Sequence, residues 1–238
     1  MGMKRVLMVD IGGGSVKLMV SGRRSVRSFE TGDHLTAGDM VRAVQRLVGE
    51  WSFEQISIGY PGPISDGLPS GEPPRIGTGW LDFDYSAAFG KPVRMINDAS
   101  LQALGAYRGG RMLFMGLGTG LGSTLITDNV LIPLELGWLR FDAQRSLLQQ
   151  LADDSPQRHG LRRWRHDVLR VVGDLKEAFG AEDIVLGGGN AAKLTRLPKF
   201  CRTRSNTQGM SGAVRLWGDA HGVRATPRGT VWDIRGIR

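Results

Sequence analysis

The stretch LFMGLGTGLGSTLI, from Leu113 to Ile126, sets glycine at every second position from Gly116 to Gly122, between two apolar runs of β character. Glycine reaches dihedrals that other residues avoid and lets backbone approach a ligand closely, and successive N–H groups in such a turn form a concave anion site. A dinucleotide fingerprint needs G-x-G-x-x-G after a strand and opening a helix. Here the spacing is G-x-G-x-G-x-G, and the residues that follow are β-branched, with Asp128 ending that second strand. A Walker loop ends in G-K-[ST], a tripeptide that this chain lacks. What remains is a glycine turn between two strands, either a ligand-free tight turn or a cradle for phosphate.

Two further turns weigh on that choice. DIGGGSVK, Asp10 to Lys17, again stands between a strand (RVLMVD) and a strand (SVKLMVSG), and VLGGGNAAK follows a strand and is expected to open a helix. Between the first two turns the pattern predicts a strand near SVRSFE, a helix over TAGDMVRAVQRLVGEW, a strand QISIGY, a Gly- and Pro-rich loop from Ile64 to Trp80, a strand PVRMIN and a helix DASLQALGAYR opened by Asp98. After the second turn come NVLIPL, helices, and EDIVLGGGN; from Leu161 the positions Leu161, Trp164, Val168, Val171, Val172 and Leu175 form one helical stripe. The repeated theme predicts a duplicated α/β architecture of two lobes with a central cleft. Residues 1–110 form the first lobe, 111–217 the second, and the tail 218–238 has no clear period.

Composition narrows the function. No apolar run approaches the roughly 20 residues of a membrane span, and Cys201, the single cysteine, excludes a disulfide framework and a multi-cysteine zinc site. A cytoplasmic protein without membrane or zinc is expected. The net charge of +8 falls almost wholly after residue 110, where 19 basic residues face 12 acidic ones. Such an excess favours polyanions, and the row Arg162, His166, Arg170 is one candidate track for them; it is equally read as the wet face of a helix. Nucleic acid is disfavoured, because no helix-turn-helix or zinc-finger pattern occurs.

Taken in order, DIGGGSVK, GYPGPI, MINDASLQALGAY, GLGTGLGS, ELGW and IVLGGGNAAK resemble the ROK family of sugar kinases over roughly residues 4–217. Within that family the pattern is most similar to the polyphosphate glucokinases. The resemblance implies an actin-like (ribonuclease H-like) ATPase fold and phosphoryl transfer from ATP or polyphosphate to a glucose-like 6-hydroxyl. It implies Asp98 as the general base, for which a helix cap is the other reading, with Asn97, Gly62 and Glu135 on the sugar.

The same resemblance assigns Gly12, Gly13, Gly14, Ser15, Lys17, Gly118, Thr119 and Gly120 to the phosphates. Gly187, Gly188 and Gly189 would flank adenosine, and Asp10 would lie near Mg²⁺, held through water. A homodimer is compatible with it. Two departures stand out. The family's Glu-x-Gly-His is here ELGW, with Trp138 in place of His and expected to be buried, and PRIGTGW lacks the family's Asn. A non-catalytic or re-specialised sugar- or nucleotide-binding protein of the same fold is therefore the alternative.

Overall fold

The computed structural model describes residues 4–74, 76–204, 209–218, 224–225 and 231–234. The first unit runs β1 (Val6–Ile11), β2 (Ser15–Val20), β3 (Arg27–Glu30), α1 (Ala37–Val48) and β4 (Gln55–Tyr60). It continues through a small hairpin, β5 (Ile64–Ser65) and β6 (Leu68–Pro69), then α2 (Tyr85–Phe89), β7 (Val93–Asn97) and α3 (Asp98–Ala106). The second runs β8 (Met112–Gly116), β9 (Ser123–Thr127), β10 (Val130–Leu134), a 3-10 turn Leu136–Trp138, α4 (Leu147–Leu151), α5 (Ser155–His159), α6 (Leu161–Phe179), β11 (Asp183–Gly187), a 3-10 turn Gly189–Lys193 and β12 (Cys201–Thr203). After it come α7 (Gly209–Arg215), β13 (Arg224–Ala225) and β14 (Trp232–Asp233).

The duplication is carried by topology. The first sheet has the order β3-β2-β1-β4-β7, and the second contains β10-β9-β8-β11-β12, the same sequence of strands, extended past β10 by β14 and β13. In each, the first three strands form an antiparallel meander and the last two join in parallel. Each of the first two glycine turns is thus the hairpin that begins its unit. Part of the tail that showed no period completes the second sheet: Trp232 pairs with Leu131 and is buried.

Helix α3 joins the units, packing on β4 and β7 of one sheet and on β8, β9, β10 and β11 of the other. The period of two along the strands sorts the core on either side of the second sheet. Met112, Phe114 and Val185 face the cluster that holds α3, whereas Leu113, Met115, Ile184 and Leu186 face the cluster that holds α6. Trp164, Val168, Val171, Val172 and Leu175 of α6 are buried as its apolar stripe requires, and the Trp164 indole donates to Leu151 O at 2.9 Å. Truncating such a side chain to Ala costs about 3–5 kcal/mol. Leu161, counted with that stripe, is instead 39% exposed, because it is the first residue of the helix and precedes the packed turn.

Late in the chain, α7 returns to the first sheet, where it packs on α3, β1 and β4. A Cβ on Gly212 would stand 2.0 Å from Leu101 O, so the two helices cross with backbone in contact and no larger residue fits. The expected loop from Ile64 to Trp80 also contains structure: Ile64 and Ser65 pair with Pro69 and Leu68 across a turn in which Asp66 and Gly67 take positive φ.

Candidate active site

A cleft of about 420 Å³ opens where the two glycine turns meet. Its lining brings together Asp10, Gly12, Gly13, Gly14, Ser15 and Lys17 from the first unit and Asp98 from α3. Gly118, Thr119, Gly120, Gly188 and Gly189 line it from the second. The turns face each other so closely that a Cβ on Gly13 would lie 3.4 Å from Thr119 Cγ2. Gly12 N donates to Ser15 O at 3.0 Å and Gly118 N to Gly120 O at 3.2 Å, which closes each turn on itself.

The third turn is stitched to the second. Leu117 N donates to Gly187 O at 2.8 Å, and Asn190 N to Leu117 O at 2.9 Å. Gly188 packs on that backbone at φ 80°, where a Cβ would stand 2.6 Å from Leu117 C and O. The segment after it forms a short 3-10 turn where a helix was expected, since Leu194 N already closes on Ala191 O. Gly187 lies behind the cleft, against the Phe114 ring and Gln102.

Asp98 does not cap its helix. The cap of α3 is Asn97, whose Oδ1 accepts from Ser100 N at 3.1 Å, while Asp98 is the first helical residue and its Oδ1 accepts from Ala99 N at 2.8 Å. Its carboxyl therefore lines the cleft instead of closing a turn. Burial pushes its pKa up to about 7, with the charge of Asp10 adding and that of Glu135 adding further, against the Ala99 amide. Asp10, also buried, is pushed up to about 6, opposed by the Lys17 ammonium.

The residues expected to hold a sugar sit beside this cleft. Asn97 Nδ2 donates to Gly62 O at 3.4 Å, tying the PGP turn to the start of α3. Glu135 is close enough for its charge to raise the proton affinity of Asp98, and burial raises its own. It is held by Ser123 Oγ, which donates to Leu134 O at 2.9 Å and accepts from Leu136 N at 3.1 Å. Trp138, expected to be buried, is 77% exposed: Leu136 and Gly137 fill the interior of that 3-10 turn and swing the next side chain outward.

Several lining residues escaped the sequence. Gln102 stands one helical turn after Asp98, Asn190 directly follows the third glycine run, and Gly116 and Gly122 bound the second turn, so periodicity carried a signal for these. Asp153 carried none. It is a non-glycine at φ 55°, held by its own N–H to Gly118 O at 2.6 Å and by Asn190 Nδ2 to its carbonyl at 2.7 Å. Of the row Arg162, His166 and Arg170 on α6, His166 lies beside buried Asp167, which Arg163 also reaches, and Arg170 pairs with Asp174 at 3.7 Å and stacks over Phe141.

Backbone donors facing a pair of raised-pKa carboxyls suit phosphoryl transfer, which asks for an anion cradle and a positioned base. Among the described residues no group of three or more His, Cys, Asp or Glu side chains could hold a metal ion. Asp10 and Asp98 in one cleft do fit a hard cation bound mainly through phosphate oxygens and water, the usual manner of Mg²⁺. No described helix is long and apolar enough to cross a membrane.

No family model matches the chain. A polyphosphate glucokinase from Mycobacterium leprae is 25% identical over 237 residues, covering 86% of this chain and 72% of that protein. Among solved structures, an inorganic polyphosphate/ATP-glucomannokinase from Arthrobacter sp. strain KM superposes with a TM-score of 0.75 at 24% identity, covering 89% of this chain and 97% of its own. A ROK family glucokinase from Streptomyces griseus, in complex with glucose and AMPPNP, gives 0.70 at 19% identity over 90% and 99%.

Proposed function

We infer that this chain is a sugar kinase of the ROK family, close to its polyphosphate glucokinases, and that it transfers a phosphoryl group from ATP or polyphosphate to a sugar hydroxyl. The observation that carries this reading is the cleft itself: two glycine turns from duplicated units, facing across it, with Asp98 lining its floor. The likeness to the M. leprae polyphosphate glucokinase and the Arthrobacter glucomannokinase supports it.

On this reading Asp98 is the general base. It takes the proton of the attacking hydroxyl, and a proton affinity near neutrality suits a base that must accept and release it at that pH. Asn97, Gly62 and Glu135 hold the acceptor, a glucose-like sugar presenting its 6-hydroxyl, against Asp98. The backbone of Gly12, Gly13, Gly14 and Ser15 lines one side of the phosphate chain and that of Gly118, Thr119 and Gly120 the other, with the N–H groups of Gly12 and Gly118 engaged in closing their turns and Lys17 adding charge from β2. Gly187, Gly188 and Gly189 make the backbone wall for adenosine when the donor is ATP.

Asp10 would hold Mg²⁺ through water. When bound, that ion would neutralise charge on the phosphates, beside the carboxyls of Asp10 and Asp98.

The test is Asp98→Asn assayed with glucose and other hexoses, with ATP and polyphosphate as donors. Removal of a general base lowers the rate by roughly 10²–10⁴, and donor binding measured by calorimetry is expected to persist. Turnover above about a tenth of wild type would remove Asp98 from the role, because a loss that small lies below the usual range for a base.

A further inference from the structure

Two of the places where the chain passes between the units carry an arginine. Arg108 lies in the connection from α3 to β8, and Arg204 follows β12 on the way to α7, which packs back on α3, β1 and β4. Two more arginines close on them, one from each unit. Arg202 of β12 shares a face of the sheet with Arg204. It grips Asp183 through Nε and Nη2 and donates from Nη2 to Ala106 O at 2.9 Å. Arg215 of α7 donates from Nη1 to Leu104 O at 2.5 Å and to Tyr107 O at 2.9 Å. Both hold the carbonyl end of α3, where cations belong.

This place is separate from the cleft. Arg202 reaches the first residues of β8 and β11, Met112 and Asp183, and Arg215 reaches the last turn of α3. The cleft uses the other end of each element: Asp98 begins α3, and Gly116 ends β8. Along α3 the two places stand about 12 Å apart, at 1.5 Å per residue.

These hydrogen bonds leave donors over. The Nε of Arg204 and the Nη1 of Arg202 are buried with no hydrogen-bond partner among the described residues, and Arg108 is exposed. A charged donor left so is expensive, and a native site that keeps one needs a reason. Burial and the charges of Arg202, Arg108 and Arg215 lower the proton affinity of Arg204, and the charge of Asp183 opposes them. Arg202 already engages that carboxylate.

Four guanidinium groups around one occupied carboxylate leave a positive surplus, and their arrangement says which anion balances it. They come from β12, from α7 and from the α3–β8 connection, so they face their common centre from several directions. A carboxylate keeps its two oxygens in one plane. A phosphate turns three oxygens outward, and guanidinium forks match them in pairs.

We propose that Arg204 and Arg108, with the unpartnered Nη1 of Arg202, form a second anion site, outside the cleft, that takes a single phosphate group, free or as a monoester. The site does not depend on the kinase reading. Its ligand joins β12 of the second unit to the connection that leaves α3, next to the arginine that α7 brings from the first. Occupancy therefore restrains the two units relative to each other at a junction the chain itself makes.

Calorimetric titration of the full chain with orthophosphate and with a hexose 6-phosphate, each without and with a saturating non-hydrolysable ATP analogue, tests this. Orthophosphate is expected to bind alongside the analogue. Arg204→Gln is expected to weaken it about tenfold, the factor that one charge-assisted hydrogen bond carries, and to leave the analogue's affinity unchanged. Without phosphate, Arg204→Gln is expected to melt higher than wild type, since it removes a like charge and a buried unpartnered donor. Arg108→Gln, on an exposed side chain, is expected to weaken phosphate in the same way and decides the matter if Arg204→Gln does not fold. Phosphate that competes with the analogue and ignores both variants belongs to the glycine turns and overturns the site. So does an Arg204→Gln protein that melts lower with phosphate affinity intact, because the arginine then serves packing. Arginine-dependent binding that is much tighter for the hexose 6-phosphate supports the site and identifies a monoester; equal affinities support it with free phosphate sufficient. Arginine-dependent phosphate binding in a protein that binds no ATP analogue and phosphorylates no sugar would refute the kinase reading and leave the site standing.

Discussion

The carboxyls of Asp10 and Asp98 line one cleft, and the charge of the first raises the proton affinity of the second. They stand at the ends of β1 and β7 with only β4 between them. The β4 residue in that gap is Gly59, where a Cβ would lie 3.3 Å from Asp10 Oδ1 and 3.3 Å from Asp98 Cα. A base must be ionised to act, so kcat/KM should fall as pH drops through about 7. Asp10→Asn removes the like charge and should move that acid limb to lower pH, whatever it does to the maximal rate. A limb that stays in place, read from pH–rate profiles of both proteins, would detach the titration from Asp98.

The same shift has a stability consequence of opposite sign to its catalytic one. Asp98 binds its proton more tightly folded than unfolded, since its folded pKa of about 7 exceeds the ordinary 3.8. The stability it contributes is complete below the unfolded value and is lost as pH rises through the folded one. Asp98→Asn, which stays neutral, should therefore melt higher than wild type, by a margin that grows from about pH 4 to about pH 7 and is then constant. Each pKa unit retained corresponds to about 1.4 kcal/mol. Thermal melts of the ligand-free proteins at pH 5 and pH 8 check it: an equal margin at both would contradict the assigned burial.

Much of this was legible because glycine punctuates it. The turns at Gly12–Gly14 and Gly116–Gly122 announced two hairpins, and the duplicated strand order followed from strand–turn–strand appearing twice. What stayed hidden depends on tertiary packing. Nothing local marks Asp153, which enters the cleft because Gly118 and Asn190 hold its backbone in a positive-φ bend. Nothing local separates Asn97 from Asp98 as cap either, since both residue types cap helices well; the strand end at Asn97 decides. Large aromatics are usually covered, yet Trp138 is exposed, and the 3-10 turn that carries it has no sequence period.

Gly188 offers a test of how the third turn is built. Its φ of 80° suits glycine alone, and a Cβ would overlap the Leu117 backbone at 2.6 Å. Gly188→Ala should cost at least about 3 kcal/mol, combining strained dihedrals with overpacking against atoms that cannot yield. Gly189→Ala, with nothing within 4 Å of its Cβ, is the matched control and should unfold at nearly the wild-type denaturant concentration. Comparable losses for the two in urea unfolding would mean that the close approach of Gly188 to Leu117 is not what constrains this turn.

Trp138 is the place where acceptor choice should be readable. It follows Glu135, whose charge reaches Asp98, and it is 77% exposed, so its ring contributes little to the core. Trp138→Ala should therefore leave stability within about 0.5 kcal/mol, as for surface positions generally. Trp138→His restores the Glu-x-Gly-His of the family this chain resembles and puts a donor and an acceptor on the turn that follows Glu135. A hydrogen bond gained there is worth about 1 kcal/mol, so hexose affinity in calorimetry should rise severalfold while affinity for ATP stays as it was. Hexose binding unchanged or weakened in Trp138→His would mean that the acceptor does not approach this turn, and the sugar-binding role of Glu135 would fall with it.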